Sequence, residues 1–98
     1  MLVRIVKMTF VETDVEKFKS FFETRKEKIR SFAGCTHLEL WQDAQHKNIF
    51  FTYSHWVDDI SLLHYRNSSF FRDTWKQTKA MFKAKAEAWS VNQVAVLS

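Results

Sequence analysis

Side chains that can do chemistry crowd into one stretch of this chain, His55 to Phe82. The titratable groups there include His64 and Tyr65, and the large aromatics include Trp56, Phe71 and Trp75. An imidazole titrates near neutral pH and can act as acid or base. A phenol hydroxyl can donate to an anion, and flat rings offer stacking surfaces. A pocket walled by this segment is the first expectation. Outside it, Lys7 interrupts an apolar run from Leu2 to Val11. His37 and Glu39 share one face of an alternating run, as an acid–base pair or as a polar seam between two copies. His46 falls in a polar loop and reads as solvated. Each candidate has a purely structural alternative. His64 would only bridge a helix to the sheet, Lys7 would lay its stem on apolar surface, and Phe71 and Trp75 would be core.

Other chemistries lack their residues. With one glycine, a Gly-rich phosphate cradle is close to excluded. Cys35 is alone, so no intramolecular disulfide forms, which fits a reducing compartment. It reads as a small buried side chain rather than a nucleophile. There is no Cys pair, no His-Glu-x-x-His and no Gly-x-Ser-x-Gly, and His64 has no partner at ligand spacing, so no metal site is expected. The net charge is +4, but the cations are interleaved with acids in the first helical stretch, which describes solvated faces. No basic-then-apolar leader opens the chain, and no apolar run approaches the roughly 20 residues of a membrane span. The expectation is a cytoplasmic protein that binds neither membrane nor nucleic acid.

The elements that position these residues can be read in order. Residues 2–11 form a strand covered on both faces. Thr13-Asp14-Val15-Glu16 matches a capping box. Val15, Phe18, Phe21, Phe22, Ile29 and Phe32 then make the stripe of one helix of about five turns, interrupted at Arg25 and stopped by Gly34. Cys35–Trp41 alternates as a strand, Asp43–Asn48 is a hairpin loop, and Ile49–Trp56 is the strongest strand signal. Asp58 or Asp59 caps a short helix that Asn67 breaks, and Asn67 caps the next. Phe71, Trp75, Thr78 and Phe82 predict a helix running past Phe82, with Lys83 and Lys85 on its outer face, and Trp89–Leu97 a last strand. The order is β-α-β-β-α-β with a split second helix. For 98 residues that means a single domain over 1–98, an α+β ferredoxin-like fold with a four-stranded antiparallel sheet. Helices cover one face of such a sheet. The apolar second face asks for a partner, and a twofold homodimer is the commonest answer.

The chain resembles the antibiotic biosynthesis monooxygenase family, whose members are dimeric α/β barrels and include quinol monooxygenases and haem-degrading enzymes. The resemblance is carried by the Phe18–Phe22 helix, by Gly34-Cys35 leading into the second strand, by Tyr53-Ser54-His55-Trp56, by Leu63-His64 and by Ser68-Ser69-Phe70. Trp56 and His64 keep the family's spacing. Ser54 stands where a Glu is frequent, and Ser68-Ser69 replaces a Pro-His break. At the positions of the Asn, Trp and His used by the haem-degrading branch stand Lys7, Tyr65 and Trp75, which speaks against haem chemistry.

The resemblance implies oxidation of a quinol or phenolic aromatic by O₂ without a bound cofactor. Such chemistry needs a water-poor pocket, a base that forms the substrate anion, and a polar anchor for that anion. Under this reading His64 is the base, Tyr65 or Lys7 anchors the oxyanion, and Phe51, Phe71, Trp75 and His37 bind substrate. The alternative is a non-catalytic dimeric barrel that binds a small apolar ligand. An RNA-recognition module shares the element order, but it needs a basic-Gly-aromatic motif that Asn48–Trp56 lacks.

Overall fold

The computed structural model describes residues 1–98. Its strands are β1 (Leu2–Phe10), β2 (Cys35–Gln42), β3 (Ile49–Trp56) and β4 (Phe82–Asn92). Helices α1 (Val15–Glu23) and α2 (Lys26–Arg30) join β1 to β2, and α3 (Asp59–Asn67) and α4 (Ser69–Lys79) join β3 to β4. All neighbouring strands pair antiparallel, in the order β2-β3-β1-β4. This is the ferredoxin-like α+β arrangement. The central strands β1 and β3 are the two with the most apolar sequences.

Strand parity sorts the side chains. Leu2, Met8 and Phe10 of β1 and Phe50 and Trp56 of β3 pack against Phe18, Ile29, Leu62 and Tyr65 of the helices. The intervening residues Ile5 and Lys7 of β1, Phe51, Tyr53 and His55 of β3, and His37, Glu39 and Trp41 of β2 face the other way. No helix covers that outer face: Trp41 is 40% exposed, Trp89 44% and Val91 41%.

The first connection is two helices rather than the single long one expected. The Thr24 hydroxyl donates to the Phe21 carbonyl at 2.6 Å, which closes the turn locally and competes with helix continuation. Arg25, at the break, is tied to Asp73 at 3.0 Å and to the Thr74 hydroxyl at 3.0 Å, so the kink is docked on α4. The capping box at Thr13 is also not formed. Residues Glu12–Asp14 make a 3₁₀ turn, and Asp14 precedes α1 without a side-chain bond to its amides. Asp58 does cap α3, accepting from the Ser61 amide at 2.8 Å, a contact worth about 1 kcal/mol. The helix break falls one residue later than expected. Ser68, not Asn67, caps α4: its hydroxyl accepts from the Phe71 amide at 3.1 Å and donates to the Tyr65 carbonyl at 2.6 Å.

The largest departure is at the C-terminal end. The fourth helix stops at Lys79, and Phe82 opens β4 opposite Phe10. Residues Lys83–Ala88 alternate charge and alanine with period two, a strand pattern that their good helix propensity conceals. Pairing with β1 decides in favour of the strand. As an edge strand, β4 carries Lys83 and Lys85 exposed, which discourages further strand addition. Residues 93–98 have no regular structure, so the expected strand to Leu97 ends at Asn92.

Gly34 has φ +89°, and a Cβ there would meet Ser61 Cβ at 2.3 Å. Its carbonyl also accepts from the Val57 amide at 2.9 Å. Glycine therefore lets the entry to β2 lie directly on the first turn of α3.

Candidate active site

Two hydrophobic clusters occupy the space between sheet and helices. One holds Phe10, Phe18, Phe50, Met8 and Met81, with the Phe10 and Phe18 rings 4.1 Å apart. The other holds Trp56, Tyr65, Leu62, Ile29, Leu2 and Cys35. Residues of both clusters border a cavity of about 310 Å³, at the small end of ligand-site volumes.

The helices deliver its walls by simple periodicity. Phe71, Thr74, Trp75 and Thr78 stand on one face of α4, and Leu62, Tyr65 and Arg66 on one face of α3. The rings are arranged as plates: Trp56 stacks on Tyr65 at 5.0 Å, Phe71 stacks on Trp75 at 5.9 Å with planes 12° apart, and Tyr65 meets Phe71 edge-on. From the sheet side come Arg4, Val6 and Met8 of β1 and Thr52, Ser54 and Trp56 of β3. Ser54, which replaces the frequent family Glu, is buried and accepts the Trp56 indole N–H at 3.0 Å. This bond fixes the plate against which Tyr65 lies.

Tyr65 is 8% exposed, and its hydroxyl has no hydrogen-bond partner in the chain. No fully buried side-chain N or O atom is left unsatisfied, so this hydroxyl is not sealed in the core, and Tyr65 borders the cavity. Burial, and secondarily the nearby Cys35 sulfur, push the phenol well above its ordinary pKa. It is therefore a neutral donor at physiological pH, suited to holding an anion and not to removing a proton.

The sequence candidates divide between two faces. Tyr65, Phe71 and Trp75 come together in the cavity. His64 is exposed and does not border it. Lying two residues beyond Leu62, it is turned about 200° from that side chain around the helix. Lys7, His37 and Phe51 sit on the outer face of the sheet. Lys7 lies opposite Glu87, 3.9 Å away. His37 is bonded to Glu39, whose other oxygen accepts the Trp41 indole at 2.7 Å. Those two bonds, the His37 one first, hold the Glu39 carboxyl below the usual carboxylate range. His55 bonds the Tyr53 hydroxyl at 2.8 Å, and burial, then the adjacent His37, push its imidazole down.

Arg4 and Arg66 border the cavity without having been singled out from sequence, and Ser54, noted there only as a departure from the family pattern, borders it too. A signal for Arg4 existed: it shares parity with Leu2, Val6, Met8 and Phe10, the inward set of β1. No His, Asp, Glu or Lys lines the cavity. No three His, Cys, Asp or Glu side chains converge as a metal site would require.

Fold and site together define a class: a ferredoxin-like α+β domain with an aromatic-walled cavity between its sheet and its helices. The chain belongs to the antibiotic biosynthesis monooxygenase family, whose model matches residues 1–77. Among solved structures, an antibiotic biosynthesis monooxygenase superposes with TM-score 0.90 at 17% identity, over 97% of this chain and 100% of that one. A Pseudomonas aeruginosa protein gives 0.84 at 21% identity over 96% and 94%. A conserved protein from Methanosarcina mazei gives 0.87 at 18% over 95% and 93%. These likenesses establish the fold. No curated protein matches the sequence. No helix is long and apolar enough to cross a membrane.

Proposed function

We propose that the cavity binds a small phenolic aromatic and that the chain oxidises it with O₂ as a cofactor-independent monooxygenase. The observation that carries this reading is an aromatic-walled cavity bordered by Tyr65, a neutral phenol whose hydroxyl has no partner in the chain. Family membership supports it. The ring slots between the plates of Trp56, Phe71 and Trp75, and Tyr65 donates to the substrate oxygen. Positive charge from the cavity arginines favours the phenolate, and its proton leaves to solvent, since no basic side chain lines the cavity. The phenolate gives one electron to O₂. The resulting superoxide and phenoxyl radical combine at the para carbon, the peroxide takes a proton back from solvent, and the hydroperoxide loses water to leave a carbonyl. Phenol and O₂ thus become quinone and water, with no external reductant.

The same lack of an imidazole or carboxylate in the cavity favours a second reading, a binding protein without catalysis. Oxygen uptake by the purified protein against a panel of quinols and phenols separates the two. Saturable uptake that collapses in Tyr65→Phe supports the oxygenase. Ligand binding with uptake no faster than the uncatalysed background leaves the binder.

The oligomer belongs to this reading too. The outer sheet face exposes Trp41, Trp89 and Val91 around an already satisfied polar seam, and a second copy laid on it forms the homodimer. Light scattering on a sizing column gives the mass. Trp89→Glu shifts it to that of one chain if the face is the interface.

A further inference from the structure

We propose that the cavity's ligand is an aromatic monocarboxylate whose carboxylate sits between Arg4 and Arg66. Arg4 stands on the inner face of β1, between the apolar positions Leu2 and Val6, opposite Ser54 of β3 and Ser90 of β4. Arg4 is half-buried, so its guanidinium is partly desolvated without an anion beside it. Its one side-chain partner is the neutral Ser90 hydroxyl, at 3.0 Å. Arg66 reaches the same cavity from α3, next to Tyr65. Neither arginine belongs to any of the ion pairs of the chain, and no Asp or Glu lines the cavity. Burial, and then the charge of Arg66, pull the Arg4 guanidinium below its ordinary value. Both cations border the one cavity, and an anion between them offsets their mutual repulsion.

The chemistry of the anion follows from the donors. Guanidinium forks match the two oxygens of a carboxylate. Phosphate cradles use backbone amides and glycine, and the only glycine, Gly34, does not border the cavity. The stacked rings around the pair select an aromatic body. One carboxylate leaves one positive charge in the cavity, which still favours a phenolate at the other end of the ring. The inference uses the same cavity as the proposed function but does not depend on its redox step.

The test is anaerobic binding of 2-naphthoate and its neutral analogue 2-naphthamide to the intact protein, followed by quenching of tryptophan fluorescence. Trp56 and Trp75 border the cavity and report on it. The acid binds roughly 10-fold or more tightly than the amide, and salt raised from about 50 to about 500 mM weakens only the acid. In Arg66→Gln the preference falls several-fold with the circular dichroism unchanged, and Arg4→Gln abolishes it. Arg66 is exposed on α3, so its variant decides the matter if Arg4→Gln does not fold. Equal affinity for acid and amide, binding of neither, or a preference that survives Arg66→Gln overturns the proposal. Selective acid binding without oxygen uptake from any phenol removes the oxygenase and leaves the carboxylate site. Uptake from neutral phenols with no acid preference does the reverse.

Discussion

The two faces of the sheet handle polar groups in opposite ways. On the outer face they are paired with one another: His37 with Glu39, Glu39 with the Trp41 indole, His55 with Tyr53, and Lys7 with Glu87. On the inner face the Tyr65 hydroxyl and the guanidinium of Arg66 have no side-chain partner, and Arg4 has only a serine. A surface that meets another protein must arrive with its hydrogen bonds satisfied, because water is lost there. A ligand site keeps its valences open until the ligand supplies the missing half. The number of titratable groups is therefore a poor guide to the site, since the richer cluster is on the outer face. Unmet bonding capacity next to a cavity is the better one.

The comparison can be broken in several ways. The largest effect belongs to the other end of the interior. Phe50→Ala, at a ring 2% exposed and away from the cavity, should cost about 3–5 kcal/mol in denaturant unfolding. Trp75→Ala, half-buried on the cavity wall, should cost clearly less, because it already borders empty space. Equal losses would mean that the cavity end is as solidly packed as the other. Next comes Gly34→Ala, with a positive φ and a clash against Ser61, for which a loss of about 1–3 kcal/mol is expected.

Tyr65→Phe sharpens the contrast. Stability should hold within about 1 kcal/mol, because the hydroxyl has no partner to lose, while phenol affinity drops roughly 10-fold. Alkaline titration followed at the tyrosinate absorbance checks the environment. Because the folded pKa of Tyr65 is raised, its contribution to stability is present below the unfolded value near 10 and fades as pH rises above it. One of the two tyrosines should therefore resist ionisation until the chain unfolds, and Tyr65→Phe should remove that lag.

The smallest effect lies on the outer face. Glu39 has a lowered pKa in the folded state, so its contribution is present above the unfolded value of 4.5 and is lost as pH falls below it. In a melting series from neutral to acid pH, wild type should lose Tm more steeply below that point than Glu39→Gln. Parallel curves would show that the His37–Glu39–Trp41 seam is dispensable in the isolated chain.

Much of the architecture was legible residue by residue. Asp58 or Asp59 before an apolar stretch announced the start of α3, and Gly34 announced the stop before β2. The Phe71–Trp75–Thr78 spacing described one cavity wall correctly. The end of the same stripe misled: Phe82 fits helical spacing but is held in β4 by pairing with Phe10, and Lys83–Ala88 favours helix until an edge position beside β1 is available. Likewise Thr13 has the right type and spacing for a capping box, but the 3₁₀ turn before α1 takes the chain away from it.

By itself the sequence determined the element order, the family and the aromatic character of the site, because these depend on local periodicity and on residue types. It did not determine which cation borders the cavity. In β1 both parities are apolar, so Lys7 stood out as the odd residue while Arg4 passed unnoticed. Period two puts those residues on opposite faces, and only the packing of the helices against one face makes Arg4 inward and Lys7 outward. His64 and Tyr65 are separated in the same way, by one step of a helix whose buried side is chosen by the sheet beneath it. Tertiary structure decided parity, and parity decided which side chains share the cavity.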